Sequence, residues 1–311
     1  MSAIACDLAH LVNPAPWPVP PLPAAVWHRA PGGDDGLLDA AAAYYGTPHL
    51  APIGGTPAAT QLLPTLLPRA MVALLGASGE AHAAAWTQAG HRLRRLPEAP
   101  LQRALAAVTP YVLVENPHPQ SAKMHSRDDL LAVAAQLRQR GGWLIVDESA
   151  IDATPEASLT PLAGSEAAPN VVTLRSLDPF FGLAGTGVAF IAAAPALLEK
   201  LGPALAHWPI PGPSRAAARL ALSDLTWQSA TRDALRGAAE RLAALLAPLG
   251  ETRSTPLFTV LTTTHAQALA AHLATHGIAV GIFGERLRFG LPADAAAWIQ
   301  LSAALGCWSS Q

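Results

Sequence analysis

Lysine chemistry in this chain has two carriers at most, because Lys123 and Lys200 are its only lysines; the other basic residues are arginines and histidines. Asp147 closes the apolar run 143–147 (WLIVD), and a carboxylate at a strand end either caps the next element or faces a ligand. Gly55-Thr56, followed by Gln61, stands at a helix start, where backbone N–H groups hold an anion or merely form a turn and cap. His82 and His118 are isolated histidines, either ordinary polar residues or pocket linings. Cys6 and Cys307 show no CxxC or Cys/His spacing, which provides neither a disulfide framework nor a zinc site.

The elements that must position these residues follow from composition and periodicity. Hydrophobic residues make up 51% of the 311 and charged residues 14%, a balance that suits a packed globular chain and opposes disorder. That length buries a sizeable core as one large domain or two modest ones. A net charge of -2 without a basic run excludes nucleic acid as an expected partner. No basic-then-apolar leader and no uncharged, proline-free span of membrane length is visible, so the expectation is a soluble cytoplasmic protein. Residues 1–35, rich in proline and glycine, read as an irregular arm. Residues 36–249 alternate apolar runs with helical patterns. Strands are expected at 71–75, 111–114, 143–146, 171–174 and 187–192. Helices are expected at 37–45, 58–67, 80–89, 127–140, 213–225 and 231–246. Ser126 caps the helix at 127 and Gly141-Gly142 stop it. Strands this apolar imply an α/β fold, a mainly parallel sheet covered by helices on both faces. Residues 250–311 change pattern to strand 257–262, helix 265–276, strands 278–282 and 286–289 and helix 293–305, a small α/β C-terminal domain.

The run 174–185 (LRSLDPFFGLAG) resembles the cofactor-lysine segment of the pyridoxal-phosphate (PLP) enzymes of the class I/II aminotransferase superfamily. It is most similar to the threonine-phosphate decarboxylase-like proteins of cobalamin biosynthesis, whose segment reads Arg-Ser-x-x-Lys-Phe-Phe-Gly-Leu-Ala-Gly. The resemblance covers about residues 7–305 and implies the aspartate aminotransferase fold and a homodimer with its pocket at the subunit interface. It also implies PLP held as a Schiff base, and a role in supplying aminopropanol phosphate, in some relatives through a partner protein. The lysine position is Pro179, which has no side-chain amine.

Carried over position by position, the resemblance gives Gly55, Thr56 and Ser176 to the cofactor phosphate and Asp147 to the pyridine nitrogen. Asn13, in DLAHLVNP, and Arg288, in RLRFG, fall at substrate positions, the arginine gripping a carboxylate or serving as a surface-strand cation. The stacking aromatic maps to Gly79, the asparagine for the ring hydroxyl to Pro119 and a phosphate arginine to Gly187. Loss of the stack and of two charged hydrogen bonds amounts to about 4–7 kcal/mol, on the order of 10³–10⁵ in affinity. Three readings result: a degenerate relative acting as a scaffold or partner subunit without Schiff-base catalysis; a working PLP-dependent lyase or aminotransferase using Lys123 or Lys200; and a small-molecule binder reusing the emptied pocket, with His82 and His118 in its lining.

Overall fold

A computed structural model describes residues 6–28, 34–76, 80–96, 100–106, 109–205 and 209–308. Its strands are β1 Cys6–Asp7, β2 Leu50–Ile53, β3 Met71–Leu75, β4 Arg92–Leu96, β5 Tyr111–Glu115, β6 Trp143–Asp147, β7 Val171–Ser176, β8 Ala189–Ala192, β9 Glu251–Thr255, β10 Phe258–Thr262, β11 Ile278–Ala279, β12 Gly281–Phe283 and β13 Arg286–Gly290.

Seven of them form the main sheet in the order β2-β8-β7-β6-β5-β3-β4. The ladders from β4 through β7 are parallel, and β8 runs antiparallel to both its neighbours. Central strands such as β6 and β7 are buried on both faces, and two hydrophobic clusters lie on opposite sides of the sheet. This is the expected α/β architecture, because a sheet with no wet face must be covered twice. Three strands escape the apolar pattern. β4 (RLRRL) is a largely exposed edge, where charge protects against further pairing; β2 (LAPI) contains a proline; β9 (ETRST) is another polar edge.

Beyond Gly250, β12-β13-β10-β9 form a second, antiparallel sheet. Alternation sorts its side chains. Leu261, Leu287 and Phe289 are fully buried with helices Ala266–Thr275 and Ala295–Gly306, while Arg253, Val260, Thr262, Arg286 and Arg288 share the opposite face. The helix Leu225–Leu246, expected to start at 231, runs through 22 residues from an Asp224 cap and packs against β9 and β10.

The N-terminal arm departs from the expected irregular, unpacked segment. Its β1 pairs with β11 of the second sheet, and Trp17 is buried, with its indole N–H donating to Asp224 Oδ2 (3.1 Å). Two main-chain bonds fix the arm to the segment around Pro179: Asn13 N–H to Pro179 O (2.7 Å) and Trp17 N–H to Phe181 O (2.8 Å). Gly182 makes this approach feasible: its φ is +67°, and a Cβ there would lie 2.6 Å from Pro16 Cβ. Proline richness concealed the contact, because such a segment satisfies few hydrogen bonds internally yet can dock on another element.

Candidate functional site

β5 and β6 end side by side, with Glu115 opposite Asp147 in a parallel ladder. Residues paired in this way project to the same side of the sheet, so two carboxylates emerge together. His82, on helix Glu80–Gln88, closes over them, with Nε2 2.9 Å from Asp147 Oδ2. Ser149 supplies both its N–H (3.0 Å) and its hydroxyl (2.5 Å) to Asp147 Oδ1. Thr56, Thr60, Gln61 and Glu80 complete the walls of a cavity of about 370 Å³ that contains His82, Glu115 and Asp147. Glu115 Oε2 and His82 Nδ1 are buried without hydrogen-bond partners.

Charge follows from this arrangement. Burial opposes ionisation of Asp147, but the His82 hydrogen bond and charge, with help from Ser149, hold the carboxyl below its ordinary range. Burial likewise opposes protonation of His82, and the Asp147 hydrogen bond and charge outweigh it, raising the imidazole. Each partner favours the charged form of the other. Burial pushes Glu115 up to about 8, the Asp147 carboxylate adding to the rise while His82 and Arg288 oppose it. Glu115 is therefore a protonated donor at neutral pH, beside the hydrogen-bonded His82 and Asp147.

The residues assigned from sequence separate into groups. Thr56 and Asp147 share the cavity. Gly55 and Gly187 stand together near it: a Cβ on Gly55 would lie 3.7 Å from Gly187 O, whereas one on Gly187 meets nothing within 4 Å. The helix Thr56–Leu66 begins at Gly55 but carries Pro57 in its first turn, which removes one donor from any anion cradle. Ser176 is buried at the end of β7, where its hydroxyl accepts from Asp178 N–H (3.2 Å). Pro179 opens the short helix Asp178–Phe181 and lines no part of the cavity. Gly79 lies outside the described residues.

Two substrate assignments are differently occupied. The Asn13 side chain donates to Phe180 O (2.9 Å) and accepts from Ala15 N–H (2.9 Å), so it seats the arm. Arg288 donates from Nη1 to Pro119 O (3.2 Å) and from Nη2 to Ala9 O (2.7 Å). Two of its N–H groups are thus taken up by main-chain carbonyls. Pro119, an assigned cofactor position, contributes only that carbonyl. Asn116, in the same loop, accepts from His125 N–H (2.8 Å) and donates to His125 O (3.2 Å).

Of the two lysines, Lys200 is exposed on helix Pro195–Leu205. Lys123 lines a different cavity, which shares only Glu115 with the Asp147 site. Glu115 was missed as a site residue because it reads as the polar end of a strand; its signal was a position matching Asp147 on the neighbouring apolar strand. Among the described residues no cluster of three metal-ligating side chains occurs, and no helix is long and apolar enough to cross a membrane.

Comparison with known proteins places this geometry. A family model described as aminotransferase class I and II matches residues 32–296. A threonine-phosphate decarboxylase of Pseudomonas aeruginosa is 39% identical over 303 residues, covering 96% of this chain and 90% of its own length. A second, from Sinorhizobium sp, is 33% identical over 96% of this chain and 91% of its own. Among solved structures, histidinol-phosphate aminotransferase from Sinorhizobium meliloti in complex with pyridoxal-5'-phosphate superposes with a TM-score of 0.82 at 21% identity, over 97% of this chain and 90% of that one. L-threonine-O-3-phosphate decarboxylase from Porphyromonas gingivalis gives 0.78 at 14% identity, over 97% and 98%.

The side chains present do not fit PLP as such enzymes hold it. Among the described residues, the cavity around Asp147 has no lysine in its lining and no arginine for a phosphate dianion. Both Asp147 oxygens already have hydrogen-bond partners within the chain, Oδ2 the His82 imidazole and Oδ1 Ser149.

Proposed function

The chain belongs to the class I and II aminotransferase family, and from that premise we propose that it is a degenerate relative of the threonine-phosphate decarboxylases, a scaffold or partner subunit without Schiff-base catalysis. Relatives at 39% and 33% identity over nearly the whole chain supply the lineage. The observation that carries the reading is the cavity itself: Asp147 is paired with His82, Pro179 stands in the lysine segment, and neither lysine reaches the lining. A side-chain amine is required to hold a carbonyl cofactor as a Schiff base, and among the described residues none lines this cavity.

Lineage also supports a cytoplasmic homodimer associated with cobalamin biosynthesis, working beside a protein that handles aminopropanol phosphate. What the chain's own residues do is structural and electrostatic. His82 neutralises Asp147, Arg288 ties the loop at Pro119 to the second sheet, and the arm covers the segment around Pro179.

The test is to mix the purified protein with PLP and record its absorbance and intact mass before and after borohydride reduction. We expect no spectral shift and an unmodified mass. A trapped adduct on Lys123 or Lys200 would reverse the proposal and restore the lyase reading.

A further inference from the structure

A second cavity, of about 180 Å³, lies between the main sheet and the C-terminal sheet. One wall is the β5-to-helix loop, which contributes His118, Ser121, Lys123 and His125; the facing wall is the sheet surface that carries Arg253 and Arg286.

The loop wall is held in place. His118 is buried, with Nδ1 2.8 Å from Ser121 Oγ, and its ring sits against Gly76, where any Cβ would collide with the imidazole. Asn116 fixes His125 through both main-chain groups, and Arg288 fixes Pro119. Three permanent cations therefore converge on a small space. Arg253 spends its charge on Glu251 at 3.7 Å. The half-buried Lys123 ammonium has no acidic or hydrogen-bonding partner among the described residues, and together with burial it depresses His125. Glu115, the remaining carboxyl among the described residues of the lining, is held protonated by burial and supplies no counter-charge at neutral pH.

We propose that this interdomain cavity is an oxyanion site, and that Lys123 and Arg286 bind the phosphate group of a small ligand there. The space corresponds to several waters of about 30 Å³ each, enough for a tetrahedral oxyanion. A phosphate would satisfy the lysine by charge-assisted hydrogen bonds, and the Ser121 and Thr262 hydroxyls line the same space. The site is independent of the proposed loss of cofactor chemistry, since the cavities share only Glu115.

The lysine count provides a direct assay on the unaltered protein. Lys123 and Lys200 are acylated with an amine-reactive reagent, and their rates are read by peptide mass spectrometry in sodium phosphate and in sodium chloride at matched ionic strength. We expect phosphate to slow acylation of Lys123 several-fold and to leave Lys200 unchanged. Equal Lys123 rates in the two salts, or equal slowing at both lysines, would overturn the site. Calorimetric titration with inorganic phosphate follows, on the wild type and on Lys123→Gln and Arg286→Gln variants shown to be folded by circular dichroism. Losing one charge-assisted bond is worth about tenfold to a hundredfold in affinity, and each variant should weaken binding by that factor. Unchanged affinity in both variants, or no wild-type binding, refutes the assignment. Tighter binding of a short alkyl phosphomonoester would assign the site to a phosphorylated metabolite, and tighter binding of inorganic phosphate to the free ion; either supports it.

Discussion

At the scale of residues, the cluster His82–Asp147–Glu115 makes stability depend on pH in a definite sense. Glu115 titrates near 8 in the folded chain instead of at its ordinary 4.5. The folded state therefore holds a proton that the unfolded state releases, and stability declines as pH rises from 4.5 to 8. Replacing the ionisable group removes that decline. Glu115→Gln should match the wild type in urea unfolding at pH 5 and exceed it by about 1–3 kcal/mol at pH 9. This is well below the full linkage value, because the side chain as a whole is only half-buried. A variant no more stable at pH 9 than the wild type would show that Glu115 ionises freely. Asp147 was legible from sequence, since an apolar strand ending in a carboxylate is conspicuous. Its pairing with His82 was not, because the two are 65 positions apart and only the fold sets helix Glu80–Gln88 over the end of β6.

At the scale of elements, the segment around Pro179 follows a strand anchored in the interior. The buried Arg175 of β7 donates to Ser158 Oγ (2.7 Å) and Asp152 Oδ1 (2.6 Å) and faces Glu148 Oε2 at 3.3 Å. The segment itself carries the arm, seated on Gly182. Gly182→Ala would place a side chain at φ +67° against Pro16, costing about 2–3 kcal/mol from the left-handed backbone and the displaced contact. It should also speed proteolytic cleavage near residues 13–17; unaltered stability and cleavage would mean that the arm contributes little. Sequence periodicity found the buried strands because they had no polar face to confuse the pattern. It missed β2, β4 and β9, whose proline or charge reflects an edge position. Edge and centre are distinguished by the assembled sheet, not by the segment itself.

At the scale of the whole molecule, the chain passes from the seven-stranded sheet, which ends with β8, to the four-stranded sheet, which begins with β9. The arm crosses this boundary, by pairing β1 with β11 while Asn13 and Trp17 engage the main body. Large apolar side chains at Val19, Trp27 and Leu225 remain exposed, and the homodimer that lineage supports would give such surface a partner. Light scattering should then report twice the 32.1 kDa chain mass, and a monomer at micromolar concentration would argue against it. The β1–β11 ladder joins Cys6 to Ile278, and that pairing has a temporal meaning during synthesis. A ribosome adding about 5–20 residues per second takes roughly 14–54 seconds to deliver the second strand after the first. The β1–β11 ladder thus cannot form until β11 has been made, so it closes after every strand of the seven-stranded sheet has been delivered.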